Sequence, residues 1–287
     1  MRVAYVSCME LPEPDIDERP LVEGLIAAGH EAVVAAWDDP DVDWAGFDVA
    51  VVRATWNYID DVEAFAAWID RVDGLTRLLN PASTMKWNLH KGYLRELRAG
   101  GVPIVPTAFF ECGASENMFF LCGSRGWERI VVKPTVGAGS FGTRSFDLNA
   151  DEGHAAQLYF DEMVAQRDMM VQVFMESVNT VGETALIVID GELTHAIEKK
   201  PRFDDQDAQV LLRETISDEM HGMVDRVLDA AGKDSLYARV DVMPAADGSL
   251  VLSELEMLEP SLFFPYCADA VGVMVRGVER WLSPTQS

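Results

Sequence analysis

Apolar and polar positions in the first part of the chain follow two periods, one typical of strands and one typical of helices. The pattern predicts, in order, strand 3–7, helix 19–28, strand 31–37, strand 48–53 and helix 60–72. Strands that alternate with helices predict a parallel sheet, and ligands bind beyond the carboxyl ends of such strands. Residues 1–85 are therefore predicted to form an N-terminal α/β domain, with the loops 9–20 and 54–58 at its ligand-binding edge.

After Asn80-Pro81 the pattern changes to helices mixed with short strands and hairpins. The predicted elements are helix 88–99, strand 107–110, helix 115–124, strands 129–133 and 143–147, helix 151–167, strand 169–174, strands 184–189 and 193–197, helix 216–231, strands 237–242 and 251–256, and helix 267–282. Asp190-Gly191 and Asp247-Gly248 are strong hairpin signals, so the last two pairs of strands are predicted to be antiparallel. The fold class is α/β, with α+β character in the C-terminal part.

The hairpin around Asp247-Gly248 gathers charged side chains on one face. A two-residue turn there sets Asp241 opposite Glu254. The same register sets Arg239 opposite Glu256, and strand alternation puts all four on one face. Because like charges directly opposite destabilise a sheet, the three carboxylates are predicted to share a cation, for which Mg²⁺ suits oxygen ligands. A solvent-facing pair of acidic strands is the alternative.

The 287-residue chain has a globular composition and a strongly acidic balance. Hydrophobic residues make up 49% and charged residues 25%, and the formal net charge is −25. This charge argues against a nucleic-acid or anionic-membrane surface, because either would need a basic stripe. No apolar stretch approaches the ~20 residues that cross a bilayer, and the N-terminus runs directly into a predicted strand. With four cysteines and no Cys-x-x-Cys spacing, a cytoplasmic protein with reduced thiols is expected.

The segment 137–142 fits the pattern Gly-x-Gly-x-x-Gly, which several kinds of phosphate site share. A dinucleotide fold needs a helix to follow, whereas 143–147 is predicted to be a returning strand, and the carboxylates of Asp161 and Glu162 fall inside a helix. The kinase pattern and the Walker pattern are not present. A lysine at the end of a strand, Lys133, can instead lie under phosphates that the backbone of the turn covers. A plain glycine loop with a solvated lysine is the alternative.

Six motifs follow one another in the order found in one superfamily of enzymes. They are Trp87-Asn-Leu-His-Lys91, Lys133-Pro with the glycine-rich turn, Val171-Gln-Val-Phe174, Gly182-Glu183, Arg239-Val-Asp241 and Glu254-Leu-Glu256. On these motifs the chain resembles the ATP-grasp ligases over essentially its whole length. The resemblance implies an ATP-grasp fold, in which the N-terminal domain 1–85 is followed by subdomains 86–168 and 169–287 that clasp ATP between them.

The resemblance also implies an ATP site. The residues implied to contact ATP are Lys91, Lys133, Gly137, Gly139, Ser140, Gly142, Gln172, Val173, Phe174 and Glu183. The two lysines would bind the phosphates, and the glycine-rich turn would close over them as a lid. Gln172 and the backbone of Val173 and Phe174 would hold the adenine, and Glu183 would hold the ribose.

Metal ligands and catalytic groups follow from the same resemblance. Asp241, Glu254 and Glu256 are implied to bind Mg²⁺, with Mn²⁺ as an alternative. Arg239 and Lys133 are implied to be catalytic, with Arg239 steadying the phosphoryl group and the anionic intermediate. Many relatives carry Asn at the position of Glu256, which leaves the exact role of this residue open.

One basic residue of the superfamily pattern is missing. Ala185 stands where relatives have a cation, two positions after the ribose acid, and Lys199 or Lys200 is predicted to take its place. A two-residue turn in the first hairpin sets Glu183 opposite Glu198 and puts Lys200 on the same face. A solvated hairpin edge is the alternative for Glu198.

Within the superfamily, the chain resembles the O-ureido-D-serine cyclo-ligases. The similar segments are Glu10-Leu-Pro12 with Pro20-Leu21, Val52–Tyr58, Glu198-Lys-Lys-Pro201 and Glu254–Pro260. This resemblance implies that ATP activates a substrate carboxylate as an acyl phosphate, which a nitrogen of the same molecule attacks to close the D-cycloserine ring in antibiotic biosynthesis. The alternatives are an intermolecular carboxylate–amine ligase of the glutathione-synthetase or D-alanine–D-alanine kind, and a nucleotide-binding regulator without turnover.

The partner implied is a small, amino-acid-like substrate, and the sequence leaves a homo-oligomer open. The residues implied to contact the substrate are Arg53, Trp56, Asn57, Tyr58 and Lys200. An arginine at the end of a strand suits a carboxylate clamp, and a surface salt bridge is the alternative for Arg53. Packing in the core or between domains is the alternative for Trp56 and Tyr58.

Overall fold

The computed structural model describes residues 1–139, 141–149, 152–199 and 210–282, which form three sheets with helices packed against them. The strands are β1 (Arg2–Ser7), β2 (Glu31–Ala36), β3 (Val49–Ala54), β4 (Arg77–Leu79), β5 (Thr107–Phe110), β6 (Arg129–Pro134), β7 (Arg144–Asp147), β8 (Met169–Val173), β9 (Glu183–Ile189), β10 (Glu192–Lys199), β11 (Val210–Leu212), β12 (Tyr237–Pro244) and β13 (Leu250–Glu256). The helices are α1 (Glu18–Ala27), α2 (Val62–Asp73), α3 (Ala82–Asn88), α4 (Tyr93–Ala99), α5 (Met118–Ser124), α6 (Gly153–Val164), α7 (Asp218–Ala231) and α8 (Ala268–Leu282). Within these ranges, none of the helices has both the length and the apolar character needed to cross a bilayer.

The N-terminal sheet is parallel, with the strand order β2-β1-β3-β4, as the alternation of strands and helices predicts. Side chains on one face of β1 and β3 pack with α1 and α8, and those on the other face pack with α2. The strand β4 is not predicted from the sequence, because so short a segment has no alternation that a pattern could detect. Burial on both faces explains why β1 and β3 are almost continuously apolar.

The central sheet is antiparallel, with the order β5-β8-β6-β7, and α5 and α6 pack against it. The sequence predicts that β8 opens the third unit, but β8 lies between β5 and β6 in this sheet. A boundary at residue 168 therefore cuts through a sheet. We propose that the boundary lies between Val173 and Glu183, where the chain passes to the next sheet.

The C-terminal sheet has the order β11-β10-β9-β12-β13 and is antiparallel. One face shares a core with the N-terminal domain, where Ile187 and Tyr237 join Leu21 and Met274 in one cluster. The opposite face packs on α4 and α7. Because β9 and β12 are held from both faces, the charged ends of these strands are fixed relative to the N-terminal domain.

The strand β13 is the last of its sheet, but side chains from the segment before the central sheet bond its outer edge. Asn88 donates to the Leu255 carbonyl oxygen at 2.8 Å and accepts from the Met257 N–H at 2.7 Å. The Tyr93 hydroxyl accepts from the Leu255 N–H at 3.2 Å. An unbonded edge is open to pairing with other chains, so these contacts both protect the strand and fix its position.

The predicted helix 88–99 is wrong in its first half. α3 ends at Asn88 and α4 begins at Tyr93, so residues 89–92 form a loop. The backbone N–H of Lys91, in this loop, donates to the Thr135 carbonyl oxygen at 2.7 Å. This hydrogen bond attaches Lys91 to the end of β6 instead of leaving it on the surface of a helix.

Candidate active site

The hairpin of β12 and β13 has the predicted register at its charged end. Asp241 lies opposite Glu254. Arg239 lies opposite Glu256. The loop itself is 246–248 instead of the predicted two-residue turn, and a bulge next to Asp241 compensates for the difference. The charged residues therefore meet as predicted, although the turn between the strands differs.

Asp241 is the most buried of these carboxylates, at 2% exposed. It accepts hydrogen bonds from Arg239 Nε at 3.0 and 3.1 Å and from Lys199 Nζ at 2.9 Å. Arg239 also hydrogen-bonds the carboxylate of Glu256. Burial alone raises the pKa of Asp241, but Arg239 and Lys199 outweigh it and hold the pKa below its ordinary value. Asp241 is therefore ionised at neutral pH.

Two lysines from different elements meet at Glu254. Lys91 Nζ lies 2.9 Å from Glu254 Oε1 and donates to the Gly137 carbonyl oxygen at 2.9 Å. Lys133 Nζ lies 3.9 Å from Glu254 Oε2. Burial and the charge of Lys91 lower the pKa of Lys133, although Glu254 opposes them. The predicted phosphate-binding lysines and the start of the glycine-rich turn are thus brought together.

The first hairpin, β9 with β10, departs from the predicted register. Its bulge lies between Leu193 and His195, so Lys199, and not Glu198, is opposite Glu183. Lys199 Nζ lies 2.7 Å from Glu183 Oε2. Of the two lysines predicted to replace the missing cation, Lys199 therefore lies at the site. Lys200, also predicted to contact the substrate, lies outside the described residues.

The carboxylates of β12 and β13 share a face, but each is paired with a cation of the chain. Among the residues that the structure describes, no three His, Cys, Asp or Glu side chains lie close enough to bind one metal ion. The inference that their repulsion requires a metal ion is therefore corrected, since arginine and lysine side chains offset it. Burial, together with Glu254 and Asp241, nevertheless raises the pKa of Glu256 to about 7. Surplus negative charge on carboxylate oxygens fits a hard divalent cation such as Mg²⁺.

The glycine-rich turn needs glycine at two of its positions. Gly139 has φ +56° and Gly142 has φ +60°, in the left-handed region that side chains disfavour. A Cβ at Gly142 would also lie 3.0–3.1 Å from neighbouring side-chain atoms. The Tyr159 hydroxyl donates to the Gly142 carbonyl oxygen at 2.7 Å. This bond fixes the far end of the turn, and the predicted contact residue Ser140 lies outside the described residues.

The predicted adenine hinge follows β8. Gln172 is 5% exposed and donates to the Thr107 hydroxyl at 3.0 Å. The backbone N–H groups of Val173 and Phe174 donate to carbonyl oxygens of neighbouring segments at 3.1 and 2.9 Å. The guanidinium of Arg129 stacks over the Phe174 ring at 3.9 Å. Because these N–H groups are engaged within the protein, an adenine at the hinge would use other groups of the segment.

Arg53 is buried and is not part of a surface salt bridge, and its predicted role as a carboxylate clamp stays a prediction. It is 1% exposed and donates to the Pro260 carbonyl oxygen. Its Nη2 lies 3.7 Å from Asp17 Oδ2, and its guanidinium stacks over the Tyr237 ring at 4.7 Å. The chain that follows β13 covers the end of β3, which explains why Arg53 is buried. Arg53 joins the N-terminal domain to that chain.

The other predicted substrate residues form the loop after β3. Trp56 Nε1 donates to the Glu259 carbonyl oxygen at 3.1 Å. Asn57 bonds side chains of the loop after β2, at 2.6 and 2.7 Å. Tyr58 is 3% exposed, and its hydroxyl hydrogen-bonds the Glu259 carboxyl. Trp56 and Tyr58 thus both reach Glu259.

Sequence reasoning did not single out two residues that shape the site. Glu259 is 8% exposed, and burial together with the charge of Glu256 raises its pKa to about 8. A lone acid in the otherwise apolar run after Glu256 is the signal that could have identified it. Asn80 was treated only as part of a boundary, but its side chain donates to the Tyr237 and Met257 carbonyl oxygens at 2.8 and 2.7 Å. It ties the end of β4 to both strands of the acidic hairpin.

Solved structures with the same fold identify the class of this protein. D-alanine–D-alanine ligase from Bacillus anthracis, solved with ATP, matches with a TM-score of 0.69 at 16% identity over 98% of each chain. That likeness shows the fold alone. The crystal structure of D-cycloserine synthetase DcsG matches with a TM-score of 0.90 at 28% identity, covering 99% of this chain and 100% of that one. The protein is an ATP-grasp ligase, as the order of its motifs predicts.

Sequence comparison identifies the family. Residues 3–80 match the family model described as D-cycloserine synthetase DcsG, N-terminal domain. The cycloserine biosynthesis protein DcsG of Streptomyces lavendulae is 30% identical over 295 residues, which cover 94% of this chain and 95% of the relative. The chain belongs to the DcsG family of D-cycloserine synthetases. The predicted resemblance to the cyclo-ligases is confirmed.

Proposed function

We propose that this protein uses ATP and Mg²⁺ to close O-ureido-D-serine into the ring of D-cycloserine. Its similarity to the cycloserine biosynthesis protein DcsG supports the choice of substrate. The observation that carries the proposal is the approach of Lys91 and Lys133 to Glu254, beside the carbonyl oxygen of Gly137. Two lysines beside an acidic strand would place positive charge next to the phosphates of a bound nucleotide.

Electrostatic repulsion is the first obstacle to this reaction, because a negatively charged carboxylate must attack a negatively charged phosphate. Two unit charges of one sign about 4 Å apart repel by about 4 kcal/mol at an effective dielectric constant of about 20. Lys91 and Lys133 would offset this repulsion on the phosphate side. Both are largely buried, which strengthens their interaction with a bound anion.

Each step of the proposed reaction conserves atoms and charge. A carboxylate oxygen of the substrate attacks the γ-phosphorus of ATP, and ADP leaves with the electrons of the broken P–O bond. The ureido nitrogen bound to oxygen then attacks the acyl carbon and loses its proton, and inorganic phosphate departs. Water removes the carbamoyl group from the ring nitrogen, which gives D-cycloserine, carbon dioxide and ammonia.

Arg239 is the group proposed to stabilise the oxyanion of the ring-closing step. Its guanidinium is held by Asp241 and Glu256, on the face that carries the acidic residues. Loss of such a donor typically costs ~3–4 kcal/mol of transition-state stabilisation. The two carboxylates hold the guanidinium in one orientation, so little reorganisation is needed when charge develops.

A divalent ion would bind at the same face of the sheet together with the phosphates of ATP, because the carboxylates of the described residues do not form a complete set of ligands on their own. Asp241, Glu254 and Glu256 would hold it, and when bound it would neutralise charge on the transferred phosphoryl group. Arg239 and Lys199 position the oxygen atoms of Asp241. Lys91 positions those of Glu254.

An intermolecular ligase is the second candidate. The fold that this chain shares with D-alanine–D-alanine ligase favours it, because that enzyme joins two separate molecules. Such a reaction needs a second substrate before ADP is released. The cyclo-ligase needs one substrate besides ATP.

Release of ADP with Mg²⁺ and ATP separates the candidates. We expect release with O-ureido-D-serine alone, together with ring product detected by mass spectrometry. Release that requires an added amine would instead support the intermolecular ligase. Tight ATP binding with no ADP release, across small amino acids and both hands of O-ureido-serine, would contradict both reactions and support a regulator.

A further inference from the structure

Nearly every buried carboxylate of the site has a cationic partner on the chain. Each of these ion pairs is shorter than 3.0 Å. The pairs are Glu183 with Lys199, Asp241 with Lys199, Glu254 with Lys91, and Glu256 with Arg239. A cation of the chain thus lies beside each of these carboxylates and favours its charged form.

Glu259 differs from these residues. It is 8% exposed, and in the described part of the chain its carboxylate has no Lys, Arg or His nitrogen within 4.0 Å. Its side-chain hydrogen bond comes from the Tyr58 hydroxyl. A buried carboxylate without a cation is costly, and the protein tolerates it here beside its active site.

Glu259 also lies at the junction between the active site and the predicted substrate loop. It lies three residues after the end of β13, and the charges of Glu256, Lys91 and Glu254 act on its carboxyl. Its backbone carbonyl oxygen accepts from Trp56 Nε1 at 3.1 Å. The loop after β3 therefore holds the backbone of Glu259 close to the end of β13.

We propose that Glu259 binds the α-ammonium group of an amino-acid substrate, and that the hydroxyl of Tyr58 holds its carboxylate in position. The inference rests on the proposed function, because it assumes that an amino acid occupies this site. It adds a residue that recognises the substrate amine, which takes no part in closing the ring. The ligand would supply the cation that none of the described residues supplies.

Two further observations support this assignment. Burial and Glu256 raise the pKa of Glu259, as expected for a carboxyl whose counter-ion is a ligand. The substrate loop also reaches Glu259, because Trp56 donates to its backbone carbonyl oxygen at 3.1 Å and the Tyr58 hydroxyl bonds its carboxyl. The predicted role of Tyr58 thus becomes that of a positioning residue.

The test compares two substrates on two variants. Glu259→Gln keeps the size and hydrogen-bonding capacity of the side chain and removes its charge. The control variant is Glu23→Gln, which removes the charge of an exposed residue on α1 that pairs with Arg19. Calorimetry with AMP-PNP and Mg²⁺ measures the Kd of O-ureido-D-serine and of the analogue in which hydrogen replaces the α-amino group.

Glu259→Gln is expected to weaken binding of O-ureido-D-serine about 10- to 100-fold, the size of a lost charge-assisted hydrogen bond. Binding of the analogue without the amine should change less than about 3-fold, and Glu23→Gln should change neither. Tyr58→Phe should give a smaller loss that is again confined to the amino substrate. Thermal unfolding of each variant checks that it is folded.

Equal losses for both substrates, or none, would overturn the inference. If the wild-type protein cyclises O-ureido-D-serine and Glu259→Gln binds this substrate with the wild-type Kd, the inference fails and the proposed function stands. If the wild-type protein binds the substrate but releases no ring, the proposed function fails and the Kd ratio still decides the role of Glu259. A wild-type protein that binds neither substrate contradicts both.

Discussion

The two Asp-Gly hairpins of the C-terminal sheet carry the same turn signal and contain a bulge each, yet only one has the predicted pairing at its charged end. In β9–β10 the turn is the predicted one, with Asp190 at φ +55° and Gly191 at φ +80°. The bulge at Thr194 then shifts every pair beyond it. In β12–β13 the loop is longer than predicted, and the bulge beside Asp241 cancels the shift.

The difference shows that a turn signal fixes register only as far as the first bulge. Thr194 donates its hydroxyl hydrogen bond to the Ile187 carbonyl oxygen at 3.1 Å, which gives that bulge a local cause. The functional result is that Lys199 reaches Glu183 and Asp241, while Glu198 is left to pair with Arg213. The first hairpin thus supplies a lysine to Asp241 of the second hairpin.

Removing that cation should have the largest effect on stability. Lys199→Met leaves Glu183 and Asp241 with less positive charge, so the free energy of unfolding should fall by about 3 kcal/mol. Arg213→Met removes the more exposed partner of Glu198 and should cost less than about 1 kcal/mol. Urea unfolding measures both, and equal costs would contradict the shifted register.

The next prediction compares the catalytic activity of one variant in each hairpin. Glu254→Gln should lower kcat/KM by roughly 10²–10³, because Lys91 and Lys133 lose the carboxylate that positions them. Glu198→Gln changes a carboxylate outside the site and should leave kcat/KM within about 3-fold. Steady-state ADP release gives both values. An equal loss for Glu198→Gln would show that the side of β10 that carries Glu198 belongs to the active site, which would contradict the account.

A smaller effect concerns the bulge itself. Thr194→Val removes the hydroxyl that bonds Ile187 and should lower the free energy of unfolding by about 1 kcal/mol. Thr180→Val alters an exposed hydroxyl, bonded at 3.3 Å, and serves as the control with an expected change near zero. If urea unfolding shows no difference between the two variants, the hydroxyl does not hold the bulge.

The last prediction concerns how stability depends on pH. Burial raises the pKa of Glu259 from 4.5 to about 8 in the folded protein, so the folded state binds more protons than the unfolded state between these pH values. The contribution of Glu259 to stability is therefore present below about pH 4.5 and is lost as pH rises to about 8. Urea unfolding of Glu259→Gln should show a shallower decline over this range than Glu23→Gln. Parallel curves would contradict the raised pKa.

Much of the fold follows from patterns that the sequence carries locally. Alternation predicts the parallel N-terminal sheet, and the order of motifs predicts the ATP-grasp class. Lys133 could be selected because a lysine between an apolar strand and a glycine-rich turn is unusual, whereas Lys91 followed from the resemblance to the ATP-grasp ligases. The loop that carries Lys91 was missed, because the break between α3 and α4 has helix-forming residues on both sides.

What could not be predicted depends on contacts between distant segments. The burial of Arg53 requires Asp17 and Pro260, which come from opposite ends of the chain. Glu259 has no cationic partner among the described residues, which could be known only from the three-dimensional positions of the cations near it. Bulges leave no reliable trace in a sequence, so the choice between Lys199 and Lys200 was open.

Transfer of labelled oxygen tests the central claim, that this site joins a substrate carboxylate to the γ-phosphate of ATP. O-ureido-D-serine carrying ¹⁸O in its carboxylate is incubated with the protein, Mg²⁺ and ATP, and the released phosphate is examined by ³¹P NMR. The account predicts that each phosphate released with ring product carries one ¹⁸O atom. Ring product accompanied by unlabelled phosphate would contradict it.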